Sequence, residues 1–184
     1  MENTTLQTEV VKRWLQNDNY HDFKTIVSQF RDENGTVDDV ALSRWLKSKA
    51  KDSSQTHYAV MYHGTGASVP VMEDGLKRTS AKTKKSLQSA TGYVYLSCYP
   101  SSAEMFGDVA YPHDDAVVYA VYVPIRDLLC DRDQLINKRM WGSDDGITIK
   151  DTLAHSLIYG HGARTKSEIL PYAIARYSIK EKIF

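Results

Sequence analysis

The chain is poor in cysteine and proline and carries no net charge. Its two cysteines, Cys98 and Cys130, lie far apart and without any Cys-x-x-Cys or Cys/His spacing. That argues against a disulfide framework and a zinc centre; no metal is expected, and a reducing cytoplasm, the cell's own or a host's, is the expected location. Lys plus Arg and Asp plus Glu each number 23, so a chain-wide electrostatic grip on nucleic acid or membrane is not expected, although a local basic patch remains open. No apolar run approaches membrane-spanning length, and the start, "MENTTLQTEVVKRWLQ", lacks the apolar core of a signal peptide. Neither GxGxxG nor GxxxxGK[ST] occurs, so nothing supports a Rossmann or P-loop site. Internal repeats and low-complexity tracts are absent too.

What is there falls into two textures. Residues 5 to 50 read as helical: Leu6, Val10, Val11, Trp14 and Leu15 recur at helical spacing, as do Phe23, Ile26, Val27 and Phe30. "ENGT" interrupts, and Val37, Val40, Ala41, Trp45 and Leu46 resume, with Asp38 and Asp39 in the first turn. The pattern predicts a helical annex over 1–55 that packs on the rest of the chain; as a DNA-reading helix pair it is a poor match. The polar, aperiodic stretch 48–57 is read as a linker. A second region, 56–184, is dense in Val, Tyr and Ile: "YAVMYHG", "GYVYLS", "DAVVYAVYVPI" and "SEILPYAIARYSI" read as strands. Short helices are predicted at 69–76, 101–106 and 150–159, in no βαβ rhythm. Twelve tyrosines would suit an aromatic-lined pocket.

Three separated points stand out. "MYHGTGASVPVMEDGLK" places His63 beside Gly64, Thr65 and Gly66; "GYVYLS" carries Tyr93 and Tyr95, with "SSAEMFG" after it; "SEILPYAI" opens on Glu168. Alone, each has a plain structural reading: a turn, a core tyrosine, a solvated strand end. In this order they resemble the ADP-ribosyltransferase superfamily, in its diphtheria-toxin and poly(ADP-ribose)-polymerase branch, whose signature is a His, a Tyr and a Glu on three strands. The resemblance covers roughly residues 58–180.

The resemblance implies an α+β fold, a split two-sheet β core with short helices behind the helical annex, and an enzyme using NAD as co-substrate. His63, Tyr95 and Glu168 would be the catalytic set. His63 would hold the adenosine ribose, and Gly64, next to Thr65, would hold the nicotinamide carboxamide through its backbone N–H and C=O. Tyr95 would stack on the nicotinamide with Phe106 as a second face, and Glu168 would bind the 2′-hydroxyl of the reacting ribose and stabilise its developing cation. Only one of Tyr93 and Tyr95 is expected to face the cleft, and Tyr95 is chosen because it precedes Leu-Ser. Glu104 is the rival carboxylate.

The acceptor is expected to be a macromolecule, a nucleic acid or a protein side chain other than arginine. In arginine-modifying relatives a Gln or Glu stands two positions before the catalytic Glu; here Lys166 stands there. "YGHGARTKS" would be the acceptor loop. With "KRTSAKTKKS" it supplies Lys77, Arg78, Lys82, Lys84, Lys85, Arg164 and Lys166 as a phosphate track; a merely solvated loop is the plain alternative. The family would suit an injected effector, a toxin or a phage protein acting on its host. Two other readings stay open: an RNA 2′-phosphotransferase, whose family shares "YHGT" but has histidine where Tyr95 stands, and a catalytically silent binding module of the same fold.

Overall fold

The computed structural model describes residues 12–80, 89–140 and 148–178. In chain order its elements are β1 (Tyr20–Asp22), α1 (Phe23–Gln29), α2 (Asp39–Lys51), β2 (Tyr58–Gly66), α3 (Val71–Asp74), β3 (Val94–Ser97), α4 (Pro100–Ala110), β4 (Ala116–Pro124), β5 (Leu128–Cys130), α5 (Arg132–Met140), α6 (Leu153–Tyr159), β6 (Gly162–Thr165) and β7 (Ile174–Tyr177). The fold is α+β. Strands run β5-β6-β3-β2-β4-β7 across one sheet, and β1 joins β2 on the same edge as β3. The β1–β2 pair is parallel and the other pairs are antiparallel.

β2 and β4 form the spine, paired along their full length from Tyr58 opposite Pro124 to Gly66 opposite Ala116. Both read as nearly continuous apolar runs because both of their faces are covered. Ala59, Met61, Tyr119, Val121 and Val123 enter the main core, while Tyr62, Val118 and Ala120 close on Ala103 of α4. Pro100 opens α4 at a position where the missing N–H costs nothing.

The N-terminal region departs from its helical expectation at Tyr20–Asp22, which is strand and pairs with Tyr58–Val60. Aromatic contact accounts for this, since the Tyr20 and Tyr58 rings stack at 5.1 Å and both meet Tyr122 edge-on. α2 begins as its sequence predicts, with the Asp38 side chain accepting from Val40 and Ala41 N–H groups. It continues to Lys51, so the first residues read as linker are helix. Phe23, Val27, Leu42 and Leu46 belong to the same buried cluster as Met61 and Val121. The boundary expected near residue 56 therefore falls inside a shared core. Polar links reinforce the seam. His57 Nε2 donates to Asp52 (2.9 Å), and His57 Nδ1 accepts from His21 Nε2 (3.1 Å). Burial, with His57 and Lys49 nearby, pushes His21 down to about 4, so it is neutral at pH 7. His155 of α6, itself buried, donates to Asp39 at the start of α2 (2.8 Å).

Two further expectations change. "SEILPYAIARYSI" is not one strand beginning at Glu168. Ahead of β7 only Ile169 bridges, to Leu76, and Pro171, which has no N–H to donate, starts a 3-10 turn before that strand. "YGHGARTKS" is not a loop throughout, because Gly162–Thr165 is β6, buried at all four residues between β3 and β5.

Candidate active site: a cleft where the sheet divides

The backbone of β2 explains where a ligand has room. In an antiparallel pair the N–H and C=O of successive residues point to opposite edges. Ile125 N–H donates to His57 C=O and Ala67 N–H to Asp115 C=O, so odd-numbered residues of β2 aim their backbone at β4. Even-numbered residues aim the other way: Tyr58 N–H donates to Asn19 C=O, and Tyr62 pairs with Ser97. That single pair is the whole of the β2–β3 ladder. Gly64, the next residue with the same direction, has no ladder partner on that edge among the described residues. Its N–H and C=O face the gap.

This gap widens into a cleft of about 840 Å³, open mouth included, between β2, β3 and α4. His63, Gly64, Thr65, Tyr95 and Phe106 all line it, drawn from three segments far apart in sequence. Lys77, Tyr93, Tyr111 and Asp131 line it as well.

Gly64 is glycine for a reason other than close ligand approach. A Cβ there would lie 1.7 Å from the Ala103 carbonyl oxygen, so the bare backbone lets α4 sit down on β2. Gly107, one turn on, faces Thr65 N in the same way, with a Cβ at 3.0 Å.

His63 is oriented by β3. Its Nδ1 lies 2.9 Å from the Tyr95 carbonyl, which only accepts, so Nδ1 carries the proton and Nε2 is left as an acceptor. Burial lowers its pKa, partly offset by that hydrogen bond, and keeps the ring neutral. A neutral imidazole acceptor beside an open amide suits a sugar hydroxyl.

Tyr95 is held by its phenol. The OH donates to Asp133 Oδ2 (2.5 Å) and accepts from Ala90 N–H (2.7 Å); burial and Asp133 together push its pKa well up. Arg164 Nη1 reaches the same Asp133 oxygen at 3.1 Å, and its guanidinium covers the Tyr93 ring at 4.1 Å. Tyr93 lines the cleft too, so the expectation that only one of the two tyrosines faces it is corrected. Residues two apart on an extended chain share a face. Arg164 is 9% exposed and committed to Asp133 and Tyr93, which removes it from the expected phosphate track.

Glu168 is not brought to the cleft wall. Its side chain is 41% exposed and pairs with Lys77 Nζ (3.6 Å) and Arg78 Nε (3.9 Å), so it meets the cleft only through Lys77 at the rim. Those pairs also occupy two cations of the expected track. Lys166 is exposed, with Nζ 6.0 Å from the Tyr93 ring. Lys82, Lys84 and Lys85 lie outside the described residues. Glu104 lies on α4 and is not among the cleft-lining residues.

Comparison with family models, curated proteins and solved structures finds no match. The site stands on its own geometry.

One residue escaped sequence reasoning. Asp131 is only 3% exposed and lines the cleft. Its Oδ1 accepts from Gln134 N–H (3.2 Å), capping α5. Its own N–H donates to Ser156 Oγ (2.8 Å), which donates in turn to the Gly162 carbonyl at the start of β6 (2.6 Å). Burial, helped by Asp133 and opposed by the cap and Arg164, raises its carboxyl to about 6. The signal was present: Asp131-x-x-Gln134 has the spacing of a capping box and marks α5, which was missed with it.

Proposed function

We propose that the cleft binds NAD and that the protein cleaves the nicotinamide–ribose bond, passing ADP-ribose to a macromolecular acceptor as an ADP-ribosyltransferase. The observation that carries this reading is the Gly64 amide and carbonyl turned into the sheet's division, beside a neutral His63, in a cleft that Tyr95 and Phe106 also line. A carboxamide needs one donor and one acceptor about as far apart as a single residue's N–H and C=O. A flat ring favours an aromatic wall, and a ribose hydroxyl donates well to an uncharged imidazole. Together these match nicotinamide riboside better than they match a phosphate. Lys77 is the one Lys or Arg among the described cleft-lining residues, so the described wall favours a ring and a carboxamide over a phosphate.

The acceptor is a nucleic acid or a protein side chain other than arginine. Such a transferase, working in its own or a host's cytoplasm, suits an effector or toxin. Incubation with NAD labelled in its adenylate half and cell extract, followed by separate nuclease and protease digestion, tests this. Release of nicotinamide with label on one macromolecule class is expected; absence of saturable NAD binding overturns it. A second reading, a silent NAD-binding module, draws on the position of Glu168 outside the wall. It predicts binding with no nicotinamide released.

A further inference from the structure

We propose that Asp131, and not Glu168, is the carboxylate that acts on the bound dinucleotide and its acceptor, an assignment that rests on the NAD reading above. Among the described residues walling the cleft, Asp131 is the single Asp or Glu. Glu168 is half in solvent and neutralised by two cations, whereas a buried carboxylate beside a forming cation acts with little screening.

Capping α5 does not account for Asp131 by itself. Asn or Ser caps a helix as well, without the cost of burying a charge. Asp131 is also anchored from two sides: Oδ1 is fixed by Gln134 N–H, and its backbone is tied through Ser156 to the first residue of β6. Past Phe106, Gln134 and Gly160 the cleft opens into a second hollow with Lys138, Tyr159 and His161 on its walls. An acceptor entering there passes Gln134, three residues along the chain from Asp131. His161, on the wall of that hollow, holds a left-handed backbone (φ 53°), and its carbonyl accepts from Cys98 N–H and Ser97 Oγ.

In the reaction, the bond from ribose C1′ to the nicotinamide nitrogen breaks, and its electron pair leaves with nicotinamide, which becomes neutral. A lone pair of the acceptor forms the new bond to C1′, and the acceptor's proton passes to the Asp131 carboxylate. Charged and titratable groups facing Asp131 are Asp133 from α5, Cys130 from β5, Arg164 from β6 and Tyr95 from β3. Burial and Asp133 outweigh Arg164, so the carboxyl titrates near 6. It is then ionised at neutral pH yet more basic than an exposed aspartate, as a proton acceptor should be.

Asp131→Asn keeps a good helix cap and removes the charge. The variant is expected to bind NAD within about threefold of the wild type while releasing nicotinamide roughly a hundredfold more slowly or worse. The wild-type rate should rise with pH through about 6, and the variant's residual rate should lose that limb. Glu168→Gln should stay within about twofold of the wild type. Asp131→Asn at the wild-type rate, a wild-type rate flat across that pH range, or the large loss appearing in Glu168→Gln instead would each overturn the assignment. If the wild type binds and cleaves NAD and Asp131→Asn does so equally, this assignment alone falls. If the wild type binds no NAD, the transferase reading falls and takes it along.

Discussion

Along one edge of β2, nine consecutive residues pair with β4; along the other, β1 takes three and β3 takes one, and Gly64 has no partner there among the described residues. The same strand is thus sheet interior on one side and binding surface on the other. Continuous pairing satisfies the backbone and holds the strand straight, which is what allows the opposite edge to be left open. Buried amides without partners are costly, so an open pair at Gly64 persists only where water or a ligand reaches it, and the cleft supplies that access.

The sharpest way to break this contrast is Gly64→Ala. A methyl 1.7 Å from the Ala103 carbonyl meets backbone that cannot give way cheaply, so α4 must lift off β2. A loss of about 3 kcal/mol or more is expected in denaturant unfolding, and unchanged stability would mean that α4 does not rest on that strand. Asp131→Asn should act in the opposite direction. A carboxyl raised to about 6 by burial binds its proton more tightly folded than unfolded, so the native state loses stability as pH climbs from about 4 to about 6 and regains none above that. The Asn variant should therefore be more stable than the wild type by roughly 3 kcal/mol at neutral pH and equal to it below about pH 4; melts at both pH values check the sign. Tyr95→Phe removes the phenol from Asp133 but leaves Arg164 on it. It should cost about 1 kcal/mol, and NAD affinity should weaken as the ring loses its anchor. Glu168→Gln, on exposed pairs with Lys77 and Arg78, should change stability by no more than about 0.5 kcal/mol, which urea titration can bound.

"YAVMYHG" and "GYVYLS" announced β2 and β3 because β-branched and aromatic residues crowd there, and the same letters carried His63, Gly64, Thr65 and Tyr95 into one cleft. β6 gave no such sign. "GART" has one apolar side chain among its four residues and is a strand because β3 and β5 flank it on both edges, a fact of tertiary pairing. Its Arg164 looked like a free surface cation, yet Asp133 and Tyr93, more than thirty residues away in either case, hold it inside. Glu168 matched a pattern of sequence order, but Pro171 three residues later denies that segment a continuous ladder. Asp131 was hidden for the converse reason: an acidic residue in "CDRDQL" looks solvated until the fold buries it.

The shared core beneath β1 bears on where this chain can be cut. An expression boundary drawn at residue 56 would remove Phe23, Val27, Leu42 and Leu46 from their places against Met61 and Val121. It would also strip β1 from Tyr58–Val60 and Asp52 from His57. The remaining fragment would offer a bare strand edge next to an uncovered apolar face, the combination that templates edge-to-edge association. A trimmed chain should therefore come out of cells as aggregate, and a soluble, monomeric 56–184 fragment would show that the first fifty-five residues are ornament to the β-rich part rather than half of its floor.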